Sequence, residues 1–107
     1  MAQYVLIESR EPGESPAVLD HYDFAADLAA RGNDVTLFLV QNGVLPARRG
    51  AAADALARVA ARGVKLLADD FSLRERGIAA PLGAGATAAP IDFVVERMLG
   101  GAKVVWH

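Results

Sequence analysis

The sequence predicts a three-layer α/β/α domain with a mainly parallel sheet of about five strands. Two observations carry this. Short runs rich in β-forming residues alternate with amphipathic helical segments, and the connections between them are short. One of those runs, Val35 to Val40, is almost continuously apolar, the pattern of a strand covered on both faces. Strand, helix, strand in that order implies right-handed parallel crossovers. The 107 residues, 53% of them hydrophobic and 22% charged, suffice for one domain spanning 1–107 with its own core.

The first strand is read at Gln3 to Glu8 and is followed by the loop Ser-Arg-Glu-Pro-Gly-Glu-Ser-Pro. Ser15 supplies a capping hydroxyl and Pro16 a pre-set first helical residue, so a helix is expected from there to Gly32. Its stripe of Val18, Tyr22, Ala25 and Ala29 opposes Asp20, Asp23, Asp27 and Arg31. His21 lies beside that stripe and reads as a partly buried structural residue. After the strand Val35 to Val40, Gln41-Asn42-Gly43 ends the run. An alanine-rich helix is expected after Pro46 and up to Arg62, with Ala52, Leu56, Val59 and Ala60 on one face and Gly63 as its stop.

Val64 to Ala68 is the third strand, with Asp69-Asp70 at its end and one or two helical turns over Ser72 to Arg76. The segment Ile78 to Pro90 reads as loop with at most a short strand near Ala86 to Ala88. A last helix opens at Pro90 with Ile91, Val94, Val95 and Met98 on its core stripe. That leaves Phe93 to face a neighbouring subunit. Gly100-Gly101 closes the helix before a final strand, Lys103 to Trp106.

A formal net charge of −2 with scattered Lys and Arg gives no basic patch, so no nucleic acid is expected as partner. No apolar stretch approaches the ~20 residues of a membrane helix, and no export signal follows Met1. The expectation is a soluble cytoplasmic protein with no membrane association. The chain has no cysteine, which excludes disulfides, thiolate metal sites and a cysteine nucleophile together.

In parallel sheets, ligand sites form beyond the carboxyl ends of the strands. The candidate rim site is therefore Glu8, Ser9, Arg10, Gln41, Asn42, Asp69 and Asp70, with Ser72 nearby. Asp69 and Asp70 could act as an acid/base or cation-binding pair, although aspartates at a strand end more often cap the next helix. The glycines at 83 and 85 with Ala88 mimic a dinucleotide fingerprint, but they do not follow the first strand and Pro90 interrupts them. His21 and His107 have no metal-ligand spacing to another donor. No catalytic residue, metal or cofactor is expected.

The turn Leu39-Val-Gln-Asn-Gly-Val44, the segment Val64-Lys-Leu-Leu-Ala-Asp-Asp-Phe-Ser-Leu-Arg-Glu-Arg-Gly-Ile78 and the terminal Lys-Val-Val-Trp-His resemble the DsrE/DsrF-like family over essentially the whole chain. The resemblance implies a five-stranded domain assembled as a homo-oligomer, trimer or hexamer, or mixed with other DsrE-like subunits. Sulfur-relay members of that family carry a persulfide on a cysteine at the end of the third strand, eight residues before a glycine. Counted back from Gly77, that position is Asp69, and an aspartate oxygen cannot form or exchange a persulfide. Three functions follow in order: a non-catalytic DsrE-like scaffold or partner subunit near sulfur metabolism, a module binding a small anion at the rim with Arg10 or Arg74, and an acid/base enzyme built on Asp69, Asp70 and Glu8.

Overall fold

The computed structural model describes residues 1–51 and 53–107. Strands β1 (Gln3–Glu8), β2 (Asp34–Leu39), β3 (Lys65–Asp69), β4 (Thr87–Ala89) and β5 (Lys103–Trp106) form one sheet in the order β4-β3-β2-β1-β5. Every neighbouring pair is parallel. Helices α1 (Ala17–Ala30) and α2 (Asp54–Ala61) pack on one face, α4 (Asp92–Leu99) on the other, and the short α3 (Asp70–Glu75) follows β3 directly. The expected α/β/α layering is therefore what forms. No helix among the described residues is long and apolar enough to cross a membrane.

The alternation of side chains along each strand divides the core in two. Leu6, Leu37, Leu39 and Leu66 point to the α1 and α2 side, where Val18, Tyr22, Leu56 and Val59 meet them. Val5, Ile7, Phe38, Val40 and Leu67 point to the α4 side, where Val94 is the buried helical partner. β2 is buried from Val35 to its end, as its continuous apolar run requires. Fully burying a side chain such as Phe38 contributes about 1.5–3 kcal/mol.

Three sequence expectations need correction. The chain after β2 does not pass through a simple turn but winds into a 3-10 helix at Gln41–Ala47, which takes in Pro46. A Cβ at Gly43 would collide with the Glu8 carbonyl oxygen, so only glycine lets this helix lie against the end of β1. α2 begins at Asp54 rather than just after Pro46, because Arg48 is extended and Gly50 sits at φ +83°. Leu56 and Val59 face the core as expected, whereas Ala52 lies outside the described residues.

The third correction concerns α4. Ile91, Val95 and Met98 were expected inside, yet all three are exposed, and Phe93 turns inward beside the buried Val94. The Phe93 ring stacks on Phe38 with centroids 6.1 Å apart and planes 5° from parallel. The Arg97 guanidinium lies 4.6 Å and the Lys65 ammonium 5.5 Å from the Phe93 centroid. Aromatic stacking and two cation–π contacts thus fix the helix rotation. The outcome is an unpartnered apolar face of Ile91, Val95, Met98 and Leu99.

Candidate functional site

The rim residues named from the sequence fall into two clusters, one at the end of β3 and one where β1 and β5 end together. At β3, Asp69 is buried and caps α3: its Oδ2 accepts the Ser72 N–H at 3.0 Å and the Ser72 O–H at 2.7 Å. Ser72 Oγ in turn accepts the backbone N–H of Gln41 at 2.8 Å, which ties the end of β3 to the start of the 3-10 helix. Gln41 takes the left-handed conformation, φ +51°, to present that N–H. Asn42 Oδ1 accepts from Arg76 Nε at 3.2 Å and Nη2 at 3.0 Å. Asp70 points outward, with Arg74 loosely paired at 3.9 Å, an exposed contact of little energetic weight.

The second cluster was not foreseen as a unit. The β1–β5 ladder runs one residue past β5: His107 N–H donates to the Ile7 carbonyl at 2.8 Å and Ser9 N–H to the His107 carbonyl at 3.0 Å. His107 therefore lies opposite Glu8 and on the same face of the sheet. The Glu8 carboxylate, fully buried, accepts His107 Nδ1–H at 2.8 and 3.0 Å and the Arg10 backbone N–H at 3.0 Å. Ser9 Oγ donates to the His107 carbonyl at 3.0 Å. A carboxylate beside Nδ1 sets the tautomer and orients the His107 ring. The Arg10 side chain is exposed.

From α1, His21 and Tyr22 close over this cluster. The His21 and His107 ring centroids are 5.3 Å apart. Burial pushes the His21 imidazole below its ordinary value; the Glu8 carboxylate and the Ile7 carbonyl oppose that shift, and His107 adds to it. Burial also pushes the Tyr22 phenol well up, helped by the negative charges of Glu8 and Glu11. His21 Nε2 and the Tyr22 hydroxyl are both buried without a hydrogen-bond partner among the described residues. Among the described residues no group of three or more His, Asp or Glu side chains is arranged to hold a metal ion.

His21, which the sequence places beside the core stripe of α1, is buried. The role of His107 was missed because its partner is 99 residues away in sequence. The available signal was strand parity: once β5 pairs with β1, the residue after Trp106 must lie beside Glu8.

With fold and site geometry established, comparison with solved structures is decisive for architecture. The ychN protein of E. coli matches over 100% of both chains with a TM-score of 0.85 and 21% identity. The chain has a DsrE-like fold. A protein of unknown function from Methanobacterium thermoautotrophicum matches over 100% of both chains with a TM-score of 0.83 and 17% identity. A conserved protein of unknown function from Bacteroides thetaiotaomicron matches over 98% of this chain and 95% of its own, with a TM-score of 0.76 and 15% identity. No protein-family model matches the chain, and no curated protein does. The fold agrees with the resemblance read from the sequence.

Proposed function

We propose that the protein is a non-catalytic DsrE-like subunit, an oligomeric scaffold or regulatory partner associated with sulfur relay or sulfur metabolism. The observation that carries this reading is the state of Asp69. It occupies the strand end where relay proteins of this fold hold their thiol, and its Oδ2 is committed to the Ser72 N–H and O–H. A capping carboxylate offers no sulfur chemistry, and the chain has no cysteine to supply it from elsewhere.

Assembly is supported by α4. Ile91, Val95, Met98 and Leu99 together form an apolar helical face with nothing over it, and Leu99 alone is 85% exposed. Contiguous apolar patches of this kind on soluble domains mark association surfaces. A trimer or hexamer of this chain, or a mixed assembly with a cysteine-bearing DsrE-like subunit, would cover it.

Two measurements test the reading. Light scattering at micromolar concentration should return a trimer or hexamer mass, and Val95→Glu with Met98→Glu should reduce it to that of a monomer. A monomer mass for the unmodified chain, both alone and mixed with a cysteine-bearing DsrE-like subunit, would remove the assembly. Incubation with a cysteine desulfurase and labelled cysteine should leave the protein unlabelled. Label that thiols release would overturn the non-catalytic assignment.

A further inference from the structure

Beside the two rim clusters lies a groove of about 390 Å³, between the loop after β1, the 3-10 helix and the start of α2. Sites for small molecules are typically ~300–1,000 Å³ and carry a few placed polar groups. Here the polar groups are two opposite charges. Glu11 lines the groove from the β1 loop and Arg48 from the end of the 3-10 helix, with Leu45, Pro46 and Ala53 as apolar wall.

Both charged heads are placed by their neighbours. The Glu11 carboxylate folds back over Gly13, itself a groove residue, so closely that a Cβ there would meet Oε1. A turn holds the Glu11 backbone: the Glu14 N–H donates to the Glu11 carbonyl at 2.9 Å, and the Glu14 carboxylate accepts the Glu11 N–H at 3.3 Å. Arg48 Nε donates to the Leu45 carbonyl at 3.0 Å, which holds the guanidinium against the 3-10 helix. That bond uses Nε and leaves the two terminal amino groups, the pair that grips a carboxylate. Neither Glu11 nor Arg48 enters an ion pair among the described residues.

We propose that this groove binds a small zwitterion of the amino-acid type, its ammonium on the Glu11 carboxylate and its carboxylate on the terminal amino groups of Arg48. The alternatives each fail at one flank. An anion without an ammonium meets Glu11 with like charge, and a cation without a carboxylate meets Arg48 with like charge. A neutral apolar molecule would take water from both charges and return no partner. The same polarity extends past the groove, since Glu14 follows on the anionic flank and Arg49 on the cationic one. Leu45, Pro46 and Ala53, all half-buried, leave room for an apolar side chain between the two heads. The site is independent of the assembly proposed above, since α4 lies on the opposite face.

The test is an NMR titration of ¹⁵N-labelled protein with leucine and with the dipeptide alanylleucine, in which the same two charges stand farther apart. At least one should give saturable shifts at Gly13, Leu45, Arg48 and Ala55. Its amide, which lacks the carboxylate, and its N-acetyl form, which lacks the ammonium, should each bind at least about tenfold more weakly, as loss of one charge-assisted hydrogen bond predicts. Arg48→Gln should bring the zwitterion down to the level of its amide, and Glu11→Gln down to the level of its N-acetyl form. Both side chains lie at the surface, and unchanged resonances from β1 to β5 verify that each variant folds. The proposal is overturned if neither zwitterion gives saturable shifts, if a blocked form binds as tightly as its parent, or if either variant keeps the parent affinity.

Discussion

The two strand-end clusters lie on one rim of one sheet yet treat their polar groups in opposite ways. At β3, Asp69, Ser72 and Gln41 form a continuous chain of hydrogen bonds, and the Asn42 side chain is taken up by Arg76. At β1 and β5, Glu8 and His107 satisfy each other, but His21 Nε2 and the Tyr22 hydroxyl are left over. The difference places structural duty and available chemistry apart. The end of β3 is part of the framework, while the unpartnered polar groups lie beside the ends of β1 and β5, two and three strands away.

Glu8 should show the largest effect. Glu8→Ala removes the charged partner of His107 Nδ1 and the acceptor for the Arg10 N–H, and leaves a void in the packed end of β1. Breaking a buried pair by deleting one partner costs about 3–5 kcal/mol, and His107 is partly exposed, so about 2–3 kcal/mol is expected by urea denaturation. Glu8→Gln keeps an acceptor and should cost less than half of that. A loss below about 1 kcal/mol for Glu8→Ala would show that the cluster does not organise this end of the sheet.

At the closed cluster, Asp69→Ala should cost about 0.5–2 kcal/mol, the range for losing a helix cap, while Asp69→Asn should be nearly neutral because an amide oxygen accepts the same two bonds. Chemical denaturation of both variants checks the pattern. If Asn hurts as much as Ala, and does so in binding to a partner subunit while stability holds, Asp69 is a functional residue and its cap is incidental.

Sequence reading reached the strand order of events and most element bounds because those depend on local pattern: a strand-length apolar run for β2, a glycine or proline at each break. It located Asp69 and its capping role from a local signal too, two aspartates before a serine. It failed where the answer depended on a distant partner. The helix could turn inward a stripe through Ile91, Val95 and Met98 or the side carrying Phe93 and Val94; the Phe38 ring on the facing side of the sheet chose between them. The same holds for Glu8, named for its place at a strand end, whose partner His107 only the β1–β5 register supplies. The 3-10 helix after β2 has no sequence period to announce it.

Acid should distinguish the clusters by smaller amounts. The folded state holds His21 neutral below its ordinary value of 6.5, whereas the unfolded chain binds a proton there. Stability from this residue is present above about pH 6.5 and is lost as pH falls from there toward the folded value, by at most about 1.4 kcal/mol per unit. Glu8 and His107 face the same ring, so the readout is a difference: the parent should lose more stability between pH 7.5 and 5.5 than His21→Leu does. Equal losses would mean that the orphaned ring takes its proton without cost.

The smallest effect separates the clusters most sharply, because it compares two hydroxyls. Ser72→Ala deletes one that donates to Asp69 and accepts from Gln41, leaving a buried carboxylate oxygen and a left-handed backbone N–H short of a partner. That should cost about 1–2 kcal/mol. Tyr22→Phe deletes one that has no partner among the described residues and keeps the ring in the core cluster it shares with Leu6 and Leu56. Removing an unsatisfied buried polar atom forfeits no bond and relieves a desolvation cost, so the change should lie between zero and a stabilisation of about 1 kcal/mol. Measured side by side by urea denaturation, the two variants should therefore differ in sign or nearly so. If Tyr22→Phe instead loses as much stability as Ser72→Ala, the Tyr22 hydroxyl already has an ordered partner such as a bound water, and both ends of the rim are equally closed.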